Sequence, residues 1–150
     1  MKFSVGSEED TARLAQAFAG GIESGISIGL SGDLGAGKTT FVRYLVGALG
    51  GNVSAVSSPS FTLEHEYPVA NMRVIDHWDL YRITDLPDEL FEPPAQNVIQ
   101  LIEWPERCPD ISGRLDLIVR FDVAESGARI VSLEGPEAVK VATFVHGRYG

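Results

Sequence analysis

Gly32-Asp33-Leu34-Gly35-Ala36-Gly37-Lys38-Thr39 is the stretch whose reading decides the fold class. It fits the pattern G-x-x-x-x-G-K-[ST] at every fixed position, the pattern of a loop that cradles phosphate groups. Glycines let a backbone wrap closely around a polyphosphate and turn successive N–H groups inward. A helix that follows adds the positive end of its dipole. Lys38 supplies a mobile positive charge for β- and γ-phosphates, and the Thr39 hydroxyl is a candidate Mg²⁺ ligand. Asp33, Leu34, Gly35, Ala36, Gly37, Lys38, Thr39 and Thr40 are therefore the expected nucleotide-binding residues.

The flanks carry the order that such a loop requires. Ile26-Ser27-Ile28-Gly29-Leu30 reads as a strand entering the loop. Phe41, Leu45 and Ala48, with Val42, Val46 and Leu49, recur at helical spacing after it, and Gly50-Gly51-Asn52 stops the helix. Upstream, Ser7 to Phe18 reads as a helix with Ser7 as N-cap, acidic residues in the first turn and Gly20-Gly21 as terminator. Downstream, Phe61 to Tyr67, Arg73 to Asp79 and Val98 to Glu103 read as strands, and Asp85 to Pro94 as loop or short helix. Arg114 to Val123 and Ala128 to Leu133 form a hairpin about Glu125-Ser126-Gly127, and Pro136 to His146 a closing helix. Residues 1–150 read as a single α/β domain: a three-layer P-loop fold, its central sheet mainly parallel, with an antiparallel C-terminal extension.

Composition narrows the function. Hydrophobic content of 44% and charged content of 22% are those of an ordinary globular protein. The apolar runs are too short to span a bilayer, and Met1 to Gly6 lacks a signal-peptide core, so no membrane association is expected. The lone Cys108 makes no intramolecular disulfide, which fits a reducing cytoplasm. A net charge of −9 with scattered basic residues argues against tight direct binding to nucleic acid and for docking on a basic protein partner. His65, His77, His146 and Cys108 show no zinc-ligand spacing. The Asn-Lys-x-Asp run of guanine-specific proteins is absent, which favours ATP.

A phosphate loop that works with Mg²⁺ needs an acid at the end of a neighbouring strand. Asp76, Asp79 and Glu103 all qualify by position, and spacing does not rank them. If the strand runs on past Ile75, His77 and Asp79 face one side and Asp76 and Trp78 the other.

Four blocks in order make a resemblance specific: GDLGAGKTTF from Gly32 to Phe41, SPSFTL from Ser58 to Leu63 with Tyr67 beyond, HWDLYR from His77 to Arg82, and EWPE from Glu103 to Glu106. Together they resemble the TsaE (YjeE) family, small bacterial ATPases required for threonylcarbamoyladenosine formation on tRNA. The resemblance implies that Asp79 and Glu103 are the functional acids and that Asp76 is structural. It implies Mg²⁺ held by Thr39 and Glu103, and Asp79 orienting water or a switch element near the γ-phosphate. Lys38, Asp79 and Glu103 are thus the expected catalytic residues, and Thr40 a contact of the α-phosphate or nucleotide. Ser58 to Thr62 resembles a nucleotide-sensing loop, with Ser60 where the family usually has threonine. Trp104, Tyr81 and Arg82 stay open between functional and structural roles. The stretch from Asp85 to Pro94 departs from the family pattern: it is shorter, lacks a glycine and carries Pro93-Pro94. The implied partners are TsaD and TsaB, with tRNA reached only through their complex. Two other readings remain from the motif itself: a small-molecule kinase, and a nucleotide sensor that does not hydrolyse.

Overall fold

The computed structural model describes residues 1–33, 35–56, 64–82 and 85–149. Strand β2, Ile26–Ser31, is buried at all six positions, as a strand covered on both faces must be. It pairs in parallel with β5, Val98–Glu103, and with β6, Leu117–Val123. Strand β4, Arg73–Asp79, lies parallel beside β5. Three antiparallel pairings extend this parallel centre. Strand β3, Glu64–Val69, pairs with β4 at one edge, while β7, Arg129–Glu134, pairs with β6 toward the other. The last strand there is β1, Lys2–Val5, so the seven-stranded order is β1-β7-β6-β2-β5-β4-β3.

One face of the sheet is covered by α1, Glu8–Gly21, α2, Lys38–Ala48, and α4, Ala138–Tyr149. The Ser7 hydroxyl caps α1 by accepting from the Asp10 N–H, as its sequence position predicts. Phe18 of α1, Phe41 of α2 and Phe121 of β6 form an edge-on series, with ring centroids 5.3 and 5.5 Å apart. Burying each such ring contributes about 2 kcal/mol. The opposite layer is thinner. It consists of single 3₁₀ turns at Asp88–Phe91 and Pro105–Arg107 with the short α3, Pro109–Ser112. Leu90, Ile111 and Leu115 from this layer close over Trp78 and Ile102 of the sheet in a second, smaller core.

Four expectations change. Gly20-Gly21 does not terminate α1. Both lie inside it, where a Cβ would come 2.8 Å and 3.1 Å from the ring of Phe144; their smallness serves the close approach of α4. The closing helix runs on to Tyr149, and the hairpin's first strand begins at Leu117 rather than Arg114. Strand β1 is an addition: its pattern of alternate burial spans only four residues, too few to stand out as a period. The expected strand start at Phe61 falls outside the described residues, within which β3 begins at Glu64.

At the β3–β4 edge a carboxyl pair ties the sheet together. Asp76 Oδ2 accepts from Trp78 Nε1 at 2.8 Å, whereas its buried Oδ1 has no partner among the ordinary donors of the described residues. Glu64, on the neighbouring strand β3, is the carboxyl beside Asp76. Its hydrogen bond to Asp76, burial, and the charges of Asp76, Glu66 and Glu89 push its pKa from 4.5 up to about 8. The folded chain then keeps a proton that the unfolded chain releases near pH 4.5, so stability falls as pH rises from there to about 8 and levels off beyond. We expect Glu64→Gln, which keeps a donor but does not titrate, to flatten that slope in urea-unfolding midpoints measured from pH 5 to 8.

Candidate functional site

Strands β2, β5 and β4 end on the same edge of the sheet, where parallel α/β sheets bind their ligands. The register aligns their ends: Leu30 lies opposite Glu103, and Glu103 opposite Asp79. Beyond β2 the chain turns at Gly32, whose φ is +146° and where a Cβ would fall 2.6 Å from the Phe121 carbonyl oxygen. Only glycine passes this point without a clash. The Ala36 N–H then donates to the Asp33 carbonyl at 3.0 Å, and α2 begins at Lys38 with no side chain capping it. The first N–H groups of a helix have no partners within it, so this end is open to an anion. Of the loop residues, Leu34 lies outside the described part, as does the expected sensing loop Ser58 to Thr62.

Lys38 is only 5% exposed. Its Nζ donates to the Gly32 carbonyl at 2.5 Å and sits 3.7 Å from the centre of the Trp104 ring. Burial holds its pKa below the usual lysine value, and the charges of Glu103, Glu106, Asp79 and Asp33 work the other way. The lysine thus folds back onto its own loop and is within reach of the anion site.

Trp104 follows Glu103 in a left-handed backbone conformation, φ +60°, uncommon for a bulky residue. Its N–H reaches the Leu30 carbonyl at 3.2 Å. Its ring packs at a 47° tilt against Tyr81, centroids 4.9 Å apart, and Arg107 lies over both rings. Trp104 and Tyr81 therefore belong to the wall of the site, while the Arg82 side chain is exposed.

The three acids separate cleanly. Glu103 is 3% exposed, and its Oε2 meets His77 Nε2 at 2.6 Å. Asp79 Oδ1 accepts the Tyr81 N–H at 2.9 Å. Burial pushes the Asp79 carboxyl up; the Tyr81 bond opposes this, and the Glu103 charge adds to it. Asp76 faces the other side of the sheet, on Trp78. Lys38, Asp79, Glu103 and Trp104 thus converge at one strand edge, and Asp76 does not join them.

Thr40 opens onto a cavity of 410 Å³ on the helix side of the loop, with Gly6, Ser7, Glu8, Thr11 and Arg129 around it. Arg129 Nη1 lies 3.2 Å from where a Gly37 Cβ would stand. Neither Glu8 nor Arg129 was legible as a site residue: Glu8 opens α1 and bonds to Tyr44 of α2, and Arg129 starts β7, both far from the loop in sequence. A second cavity of 290 Å³ lies by Gly32, Asp33, Trp104, Glu106 and Arg120. Among the described residues no group of three or more His, Cys, Asp or Glu could hold a metal by itself. A hydroxyl at Thr39 and a carboxylate at Glu103 suit a hard cation that takes its other ligands from phosphate and water.

A buried parallel strand, a glycine loop, a helix and acids on the adjacent strand ends define a P-loop nucleotide-binding fold. The crystal structure of Bacillus subtilis YdiB superposes on the whole chain with a TM-score of 0.73 at 26% identity, covering 96% of that protein. A family model described as threonylcarbamoyl adenosine biosynthesis protein TsaE matches residues 5–131. The tRNA threonylcarbamoyladenosine biosynthesis protein TsaE of Aquifex aeolicus is 40% identical, over 85% of this chain and 90% of its own length. Its Haemophilus influenzae counterpart is 39% identical over 72% and 70%. The chain belongs to the TsaE family.

The Asp79–Tyr81 turn gives a prediction that separates structure from charge. Asp79→Asn keeps an oxygen for the Tyr81 N–H and should leave thermal stability nearly unchanged. Asp79→Ala should cost about 1 kcal/mol, read from denaturant unfolding.

Proposed function

We propose that this protein binds ATP with Mg²⁺ and hydrolyses it slowly on its own, as the ATPase that assists threonylcarbamoyladenosine modification of tRNA. The observation that carries this reading is the convergence of Lys38, Asp79 and Glu103 beside an open helix N-terminus, in a chain of the TsaE family. The loop from Asp33 to Thr39 would bind the phosphates, with Lys38 leaving Gly32 and Trp104 to meet them. Thr39 and Glu103 would hold Mg²⁺, which when bound neutralises phosphate charge and orients its oxygens. Asp79 would orient water or an adjoining segment near the γ-phosphate. The nucleoside end would enter the cavity at Thr40, between Glu8 and Arg129.

The partners in this reading are TsaD and TsaB, and tRNA is reached through them in the cytoplasm. Charge supports the indirect route, since a chain of net −9 is repelled by a phosphate backbone. Among the described residues no helix is long and apolar enough to cross a membrane. ATP turnover measured alone and with TsaB, TsaD and tRNA tests the assignment; a marked rise with the complex is expected. Phosphoryl transfer to a small metabolite without partners would replace it with a kinase, and bound ATP persisting unhydrolysed in the full complex with a sensor.

Two sets of variants check the residue roles. Lys38→Ala should stay folded by circular dichroism yet lose a few kcal/mol of ATP binding, as expected when a charge-assisted contact disappears. Asp79→Asn and Glu103→Gln should each depress turnover far more than Asp76→Asn, whose side chain serves the opposite face. Glu103→Gln should also raise the Mg²⁺ concentration needed, because an amide oxygen is a poorer ligand for a hard cation.

A further inference from the structure

His77 is fully buried, without a charged or polar role in the sequence reading, yet it touches two polar groups at once. Its Nε2 is 2.6 Å from Glu103 Oε2, and its Nδ1 is 3.1 Å from the Tyr67 hydroxyl. Tyr67 and Glu103 are themselves 2% and 3% exposed, so solvent does not satisfy any of the three. They stand on three adjacent strands, β3, β4 and β5, on the face that the long helices cover. The register makes both contacts diagonal: Tyr67 lies opposite Ile75 and Glu103 opposite Asp79, each two residues from His77 along β4. Diagonal neighbours on one sheet face are within reach of side chains this long.

The donors and acceptors admit a consistent arrangement. An ionised Glu103 only accepts, so the hydrogen between it and the imidazole sits on Nε2. In the neutral ring Nδ1 then has a lone pair, and the Tyr67 O–H can donate to it. Tyr67 thereby selects the tautomer, and His77 fixes which Glu103 oxygen turns inward. The same carboxylate ends β5 level with Leu30, at the mouth of the phosphate loop. A histidine locked by a second partner and bonded to a catalytic or metal-binding group is how outer-shell residues orient such groups.

We propose that His77, with its tautomer set by Tyr67, is a positioning residue for Glu103. It holds one carboxylate oxygen and leaves the other to face the loop, where a metal–nucleotide complex would use it. The inference rests on the reading of Glu103 as a Mg²⁺ ligand, but the hydrogen-bond relay stands without any ligand, and the two can be tested apart.

The relay is tested first in the ligand-free protein by ¹⁵N–¹H correlation of the three histidine rings, with His77 assigned through His77→Gln. The expected result is an Nε2–H tautomer whose signal shifts in both Glu103→Gln and Tyr67→Phe. An Nδ1–H tautomer, or a His77 signal indifferent to Glu103→Gln, would overturn the proposal. Positioning is tested by binding of a ribose-labelled fluorescent ATP analogue, titrated with MgCl₂. His77→Leu should raise the half-saturating Mg²⁺ at least about tenfold, the usual cost of losing an outer-shell partner. It should leave metal-free nucleotide affinity unchanged. His77→Gln, whose amide can still donate toward Glu103, should recover most of the Mg²⁺ response, and Tyr67→Phe should fall between. A role in packing alone would lower stability in all three variants while the Mg²⁺ dependence stayed that of the wild type, and that outcome would refute positioning. Should His77→Leu not fold, the comparison of His77→Gln with Tyr67→Phe decides by the same criterion. A wild-type protein that binds no nucleotide would overturn the ATP reading and leave the ring-tautomer result to decide the relay.

Discussion

The parallel ladder that joins β2 to β5 and β6 is the constraint on which the molecule depends. A parallel strand with neighbours on both sides and layers on both faces has to be mainly apolar, and all six residues of β2 are buried, with the Ser27 hydroxyl bonded to Gln100. Such a strand needs a crossover at its end, so the chain must leave at the same edge as β5 and β4. Its backbone turns at Gly32 against the Phe121 carbonyl, in a space that admits no side chain. The glycine loop, the open start of α2 and the acids that end β5 and β4 meet because the ladder sets their level.

Bringing two carboxylates, a lysine and a tryptophan to one partly dry edge is electrostatically costly. The structure offsets that cost locally. Glu103 is bonded to His77, Asp79 receives the Tyr81 N–H, and Lys38 lies between their charges, the Gly32 carbonyl and the Trp104 ring. Opposing influences act on Lys38, since burial disfavours its charge and four carboxylates favour it. A lysine so balanced is held without being committed. Its contacts with Gly32 and Trp104 are ones that a phosphate, carrying full negative charge, would outcompete.

The two faces of the sheet divide the acidic residues between separate tasks. On the helix side, Asp79 and Glu103 point toward the loop. On the other side Asp76 serves the sheet itself, bonded to Trp78, and its nearness raises the pKa of Glu64. Alternation along β4 is what keeps these groups apart, as Asp76 and His77 are adjacent in sequence and point to opposite layers. One strand can then hold a proton-dependent structural contact and a hydrogen bond to a site acid without mixing them.

The sequence by itself determined the loop, its strand and its helix, because their information is local: glycines where the backbone must turn, apolar spacing at the period of each element. It determined the family through four short blocks and, through the alternation along β4, that His77 and Asp79 share a face. Tertiary structure alone decided the rest. The layer that Asp76 serves, once the family blocks had set it apart from the site acids, follows from which face the helices cover. That Trp104 and Tyr81 form a wall beside Lys38 follows from a left-handed residue at the end of β5, a conformation that no residue type there announces. That Gly20 and Gly21 sit inside a helix follows from the approach of Phe144, from the far end of the chain. The Tyr67–His77–Glu103 relay and the place of Arg129 beside Gly37 depend on strand register and edge pairing. Those are contacts between segments far apart in sequence, and local patterning does not encode which segments will lie side by side.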